Sequence, residues 1–459
     1  MKEIASTFLE KSAIKAADRA HRKVINFNIG KYNAVVPKGK EQFADLETAR
    51  ERAKNLKWKA IESLDKYLES FEASITKRGA RVVWANDAQE ALDEIGRICA
   101  EKNCKTLVKS KSMVTEEIHL NAYLEKHGIE SVETDLGEYI QQLDGEPPYH
   151  IVTPAMHKSK EDIARLFAEK LGTDPALTPE QLTLVARKLL REKYATAEVG
   201  LTGANFIIAD IGAVAVTENE GNGRLSCSMP KTHIVVVGIE KVIPSMTDLA
   251  LFWPLLSTFG TGQRITSYNT IIAGPRQPGE TDGPEEMIVI LLDNGRTNIL
   301  ANEKQRESLY CIRCGACLNA CPVYKNVGGH TYGSTYSGPI GAVITPNLKG
   351  MADWKHLSYA SSLCGNCTEV CAVKINLHEL LLENRHESVE QGHTDFSERM
   401  AWKMWRQGML RRKWMNMATG PIKGWVVNKL VKGWSQNRAP LEFPKKTFNQ
   451  MWRDKNAKS

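Results

Sequence analysis

The 459 residues contain no run approaching the roughly 18 uncharged apolar positions that a membrane-spanning helix requires. The opening segment, MKEIASTFLEKSAIKAADRAHRKV, is charged along its length and has no apolar core, so no secretory leader is expected in it. No G-x-G-x-x-G occurs, since GNGRLS and GTGQRI both lack the third glycine, and there is no Walker A sequence. These absences leave the chain without an evident flavin, nicotinamide or nucleotide site of its own. Cysteine is sparse outside two short segments. Only Cys99, Cys104 and Cys227 lie elsewhere, and none has ligand spacing, so they read as inert buried thiols. Acidic residues nearly vanish from residue 401 onward, where 2 face 14 Lys and Arg, although the whole chain carries only +7. Residues 1–400 therefore sum to −5.

With 42% hydrophobic and 25% charged residues, the composition is that of a soluble globular protein with room for two to four domains. A reducing cytoplasm is the expected compartment. The basic stretch also holds six tryptophans, Trp402, Trp405, Trp414, Trp425, Trp434 and Trp452. Basic residues among aromatics suit nucleic acid, an anionic membrane surface or an acidic partner. No nucleic-acid motif accompanies them, so the expectation is a tail that buries its Trp while Lys and Arg stay wet, or a partner surface. Peripheral contact with the inner face of a membrane is the remaining option.

The other seven cysteines carry the chemistry. CIRCGACLNACPVY reads C-x2-C-x2-C-x3-C-P through Cys311, Cys314, Cys317 and Cys321, the run of two-cluster bacterial ferredoxins, down to Pro322. Three thiolates at this spacing curl around one cube, and the fourth lies too far along, so it ligates the other cluster. Aligned by its end, LCGNCTEVCAV puts Cys371, Cys367 and Cys364 in the fourth, third and second places, and Ser361 in the first. Exchange of fourth ligands gives one 4Fe-4S cluster on Cys311, Cys314, Cys317 and Cys371. It leaves a second, 4Fe-4S or 3Fe-4S, on Cys321, Cys364 and Cys367. The missing ligand is Ser361, a His or carboxylate from elsewhere, water or a partner. Zinc favours compact pairs with longer gaps, and disulfide staples are distributed over small secreted folds, so neither suits this spacing.

Ahead of the cysteines, 44–75 has apolar positions at helical spacing and reads as one long amphipathic helix. RVVWA, KTLVKS and IESVET then alternate with helical segments in a βαβ rhythm. After a helical insertion around PALTPEQLTLVARKLLREKY, the strands NFIIAD, AVAVT, HIVVVGI, TSYNTIIAG and EMIVILLD close a sheet that is expected to be mixed. GRTNILANEKQRESLYC reads as an approach helix. Ligands of such folds sit at the carboxyl ends of strands. There the sequence offers Lys109 and Lys111, then His157, then Glu218, Glu220, Asn222 and Arg224, a set able to receive a carboxylate or phosphate.

VKSKSMVTEEIHLNAYLEKHGIE, HIVTPAMHKSKEDI, GLTGANFIIADIGAVAVTENEGN and SYNTIIAGPRQPGETDGPEE, followed by the two cysteine segments, resemble the lactate-utilization protein B family across nearly the whole chain. The resemblance implies an α/β mixed-sheet LUD domain, CoA-transferase-like and similar to 5-formyltetrahydrofolate cyclo-ligase, followed by an α-helical two-cluster ferredoxin-type unit. The expected division is a helical extension over 1–43, the LUD domain over 44–298, the cluster domain over 299–395 and the basic Trp-rich extension over 396–459. It further implies an electron carrier in a complex that oxidises L-lactate to pyruvate and passes electrons to a respiratory acceptor. A CCG-domain cysteine-rich protein and a shorter LUD protein are the implied partners. The alternatives are the iron–sulfur subunit of another 2-hydroxy-acid dehydrogenase with a flavoprotein partner, and a carboxylate- or acyl-binding sensor or transferase centred on Glu220. No catalytic residue carries over.

Overall fold

The computed structural model describes residues 2–415, 420–430 and 439–457. Two compact units divide it, Met1–Ser388 and Val389–Ser459.

Among the described residues the first unit holds ten strands: β1 (Arg81–Ala85), β2 (Thr106–Lys109), β3 (Glu130–Glu133), β4 (Val199–Thr202), β5 (Phe206–Ile208), β6 (Ala213–Glu218), β7 (Thr232–Gly238), β8 (Val242–Ile243), β9 (Tyr268–Ile272) and β10 (Glu286–Leu292). They form two sheets where one mixed sheet was expected. Six pair entirely in parallel in the order β1-β10-β7-β4-β2-β3. Four form a smaller mixed sheet, β8-β5-β6-β9, in which β5 runs parallel to β8 and β6 is antiparallel to both its neighbours.

The period of two explains why β7 and β10 read as continuous apolar runs. Ile234, Val236, Ile288 and Ile290 face a core built with Ile95, Ile98 and Leu124. Val235, Val237, Val289 and Leu291 face the other core, with Phe71, Ile75, Phe252 and the mixed sheet. Both faces are covered, as a parallel sheet requires. β4, central in the sheet, gave no strand signal because it contains Gly200. A Cβ there would lie 1.8 Å from the Ser226 carbonyl oxygen and 2.9 Å from Pro230 Cγ, so the helix Asn222–Ser228 can press onto β4 only over a glycine. The two-residue β8 was also missed.

The helix expected over 44–75 is two, Leu46–Glu62 and Leu64–Thr76, broken where Ser63 leaves helical backbone (φ −132°, ψ 43°). The break lets the first helix pack against Arg306–Tyr310 and β8 while the second packs against β1 and β6. It also places the Lys57 ammonium, 1% exposed, where it donates to the carbonyls of Glu240 (2.6 Å) and Val242 (3.1 Å). The approach helix is likewise interrupted, into Arg296–Ala301 and a 3-10 turn at Arg306–Tyr310.

Arg296 opens the first of these pieces. Its guanidinium meets Glu117 bidentately (2.9 and 2.9 Å) and donates from Nε to Glu240 (2.6 Å). Tyr336, from the segment between the two cysteine runs, donates to the same Glu117 at 2.5 Å. One buried network thus ties the end of β7, the helix Met113–Glu117 and the cysteine-bearing segment together. Gly238 makes room for it, since a Cβ there would lie 2.1 Å from Glu240 Oε2 and 2.5 Å from Arg296 Nε.

Among the described residues of the second unit the helices are Phe396–Leu410, Arg412–Met415, Gly420–Leu430 and Phe448–Asn456. Trp402, Trp405, Trp414, Trp425 and Trp452 are exposed, so these five are not the buried tryptophans that were expected. Trp434 lies outside the described residues. Among the described residues no helix is long and apolar enough to cross a membrane.

Arg296→Met should lower unfolding free energy by about 3–5 kcal/mol, because it leaves Glu117 buried without a cation and removes the one hydrogen-bonded to Glu240. Tyr336→Phe, which removes one hydrogen bond to a charge, should cost about 1–3 kcal/mol. Urea denaturation of both variants beside the native chain checks the order.

Candidate functional site

The two cysteine segments fold alike. In the first, Arg313 (φ +61°) and Gly315 (φ +78°) flank Cys314, and the helix Ala316–Ala320 carries Cys317. In the second, Leu363 (φ +53°) and Gly365 (φ +80°) flank Cys364, and the helix Asn366–Glu369 carries Cys367. Left-handed backbone at a non-glycine residue is uncommon, and its repetition at matching positions shows one turn used twice. The match extends to the first position. The Arg313 N–H donates to Cys311 Sγ at 3.4 Å, and the Leu363 N–H donates to Ser361 Oγ at 3.1 Å. Ser361 therefore stands in the place of Cys311, its oxygen taking the hydrogen bond that the sulfur takes in the other turn. Asn366 Nδ2 donates to the Ala320 carbonyl at 3.1 Å and joins the two turns.

The thiols fall into two sets. Cys311, Cys314, Cys317 and Cys371 line one small apolar hollow with Ile151, Ile340 and Val373. Burial pushes the Cys314 thiol up to about 12, with Cys371 and Cys311 adding to it. Burial raises Cys317 too, followed by Cys311, Cys314 and Cys371, and it takes Cys371 to about 11, again with Cys311 contributing. The second set is Cys321, Cys364 and Cys367. Cys367 is pushed up to about 11 by burial, then by Cys321 and Cys364, and Cys321 is raised by burial with Cys364 adding. Cys364 is the exposed one of the seven. Buried sulfurs crowded this closely cannot ionise together unless bound cations compensate them. That is the donor set a thiolate-held iron cluster calls for, and the residues present fit such a group. Cys99, Cys104 and Cys227 are buried elsewhere, and Cys104 and Cys227 point their thiols at the carbonyls of Thr106 and Arg224.

Charge is gathered beside the first set. Lys57, Lys241 and Arg313 all feel the Cys311 thiol. Burial brings Lys57 down to about 7, with Lys241 contributing, and brings Lys241 to about 8, with Arg313 contributing. Burial alone would raise Glu240, but Arg296, Lys241 and Arg313 outweigh it and hold the carboxyl at about 2.

A cavity of about 310 Å³ opens at the carboxyl ends of β2, β4 and β6, and Cys314 and Arg313 form part of its wall. It brings together Lys111, Glu218, Glu220 and Asn222 from the set anticipated at strand ends. Lys111 donates to the Val152 carbonyl (3.1 Å) and pairs with Asp135 (3.3 Å). Glu218 accepts from the backbone of Gly223 (2.6 Å) and Arg224 (2.9 Å), while Glu220 accepts from the Leu136 N–H (3.1 Å). Three anticipated residues are elsewhere. Lys109 is fully buried between Glu133 (2.6 Å) and Glu116 (3.0 Å). His157 stacks on Tyr149 and bonds Glu146 at 3.0 Å. Arg224 lies over the Tyr268 ring.

Sequence reasoning missed Lys241 and Arg313, both on the cavity wall. The signal for Lys241 was available: the charged pair of IEK directly follows the carboxyl end of the most buried strand, where such folds place ligands. Arg313, the charged residue inside the first cysteine run, passed as a spacer.

Comparison with known proteins agrees with this organisation. The LUD domain family matches residues 68–292, and the 4Fe-4S dicluster domain family matches residues 307–375. Lactate utilization protein B of Bacillus licheniformis is 46% identical over 433 residues, 90% of each chain. That of Bacillus subtilis is 47% identical over 408 residues, 84% of this chain and 85% of its own. That of Geobacillus sp. is 50% identical over 370 residues, 80% of this chain and 78% of its own.

With iron removed, alkylation near pH 8 should follow burial and thiol ionisation. Peptide mass spectrometry should find Cys364 modified first and Cys314 and Cys317 last.

Proposed function

The chain belongs to the lactate utilization protein B family and carries a 4Fe-4S dicluster domain, and from that premise we propose that it is the iron–sulfur electron-transfer component of a complex oxidising L-lactate to pyruvate. The observation that carries this reading is the placement of the two thiol sets. The first adjoins a cavity in the LUD domain, and the second reaches the surface at Cys364.

On this reading Cys311, Cys314, Cys317 and Cys371 hold a 4Fe-4S cluster. Cys321, Cys364 and Cys367 hold a second, 4Fe-4S with Ser361 or an outside group as fourth ligand, or 3Fe-4S without one. Such clusters, when bound, take up and release single electrons. The residues of the chain decide where charge is tolerated. The N–H groups of Arg313, Tyr324 and Ile375 point at the sulfurs of Cys311 (3.4 Å), Cys321 (3.5 Å) and Cys371 (3.3 Å) and favour negative charge there. Lys57, Lys241 and Arg313 do the same for the first set as a whole. Oxidation of lactate to pyruvate releases two electrons and two protons, and two one-electron sites suit their onward transfer. The exposed Cys364 side is then the exit toward a respiratory acceptor. A CCG-domain cysteine-rich protein and a shorter LUD protein are the proposed partners, and the exposed tryptophans of Val389–Ser459 would serve contact with an anionic membrane face.

Cys311→Ala and Cys371→Ala, 60 positions apart, should abolish the same EPR signal, and Cys321→Ala should resemble Cys364→Ala. Pairing of Cys321 with Cys311 in anaerobic spectra would overturn the crossed assignment.

A further inference from the structure

The cavity beside Cys314 has two cationic groups that the protein itself leaves without hydrogen-bond partners. Lys241 is 7% exposed, lines the cavity, and makes no hydrogen bond or ion pair among the described residues. Arg313 lies over the Tyr336 ring at 4.5 Å, and its Nη1 is buried without a partner. Its approach to Glu240 is 3.6 Å, too long for a hydrogen bond, and the other oxygen of Glu240 is engaged by Arg296. Cys311 shares the field of both cations, but the hydrogen bond to its sulfur comes from the Arg313 backbone. Cationic donors held out of water without a hydrogen-bond acceptor are costly, and a planar carboxylate can accept from an ammonium and a guanidinium at once.

The rest of the polar wall narrows the ligand further. Asp135, Glu218 and Glu220 line the same cavity, and the lysine among them, Lys111, is already paired with Asp135. A second anionic end would meet these carboxylates, whereas a hydroxyl or small apolar end would not. Val152, Leu256 and Met113 add apolar surface.

We propose that this cavity is a binding site for a small monocarboxylate, with Lys241 and Arg313 receiving the carboxylate against the Cys314 wall. Binding there is sensed by the first thiol set, because Cys314 lines both the cavity and the hollow that the set encloses. The proposal rests on the electron-transfer reading only for the choice of L-lactate and pyruvate as probes.

The test is anaerobic titration calorimetry of the full-length, iron-loaded chain with L-lactate, pyruvate and malonate, paired with EPR of the same samples. At least one monocarboxylate should bind with unit stoichiometry, malonate should bind more weakly, and the ligand should shift the signal assigned to Cys311 and Cys371. Lys241→Gln should weaken binding about tenfold or more while iron content is kept, with partial recovery in Lys241→Arg. Ala204→Leu, which narrows the cavity without altering charge, should weaken it too, and it carries the test if Lys241→Gln loses iron. Three results would overturn the site: no binding of either acid by protein showing both cluster signals, equal affinity in the native chain and Ala204→Leu, or malonate bound as tightly as the monocarboxylates. The first leaves the electron-transfer reading standing, whereas absence of the cluster signals themselves contradicts that reading and not the cavity.

Discussion

Three buried cations, Lys57, Lys241 and Arg296, and the largely buried Arg313 gather around two buried carboxylates, Glu117, paired with Arg296, and Glu240, paired with Arg296 and approached by Arg313, beside Cys311. Left alone, this arrangement carries an excess of positive charge in a poorly solvated place, and burial shows its cost in the lowered pKa of both lysines. Anionic sulfur around bound iron is what balances it. Iron binding has to displace the protons that burial holds on thiols pushed up to about 11 or 12. Fold and cofactor are thus tied through electrostatics, since Arg296 orders the end of β7 and Tyr336 while contributing to the field at the cluster.

The second set differs in just this respect. Cys364 lies at the surface although Cys367 is buried, the turn of this set repeats the left-handed backbone of the first, and an oxygen at Ser361 stands where the first turn has the sulfur of Cys311 while Leu363 stands where it has the cation of Arg313. A hydroxyl already accepting the Leu363 N–H can keep the turn intact without a thiol. The internal repeat therefore preserves its backbone while relaxing its ligand set, and it does so on the side open to solvent and partners.

Much of this was legible in the sequence because it is local. Cysteine spacing, the place of Ser361 and eight of the ten strands all follow from short-range pattern. What escaped depended on distant neighbours. β4 was hidden by Gly200, whose reason is the carbonyl of Ser226 pressed against it. The break at Ser63 is set by what each half of the helix must cover. Lys109, Lys111 and Glu220 are equally plausible as residues at strand ends, yet burial between Glu116 and Glu133 removes Lys109 from the cavity while the other two reach it. Meeting of the LUD cavity with Cys314 joins residues some two hundred positions apart, beyond any motif.

Iron and acid-labile sulfide counting on anaerobically purified chain, with EPR of the reduced and oxidised forms, tests the central claim most directly. Two interleaved thiol sets predict brown protein with about eight irons per chain, or about seven where Ser361 leaves one corner empty. Colourless protein that carries zinc, or about four irons in a single centre, would contradict it.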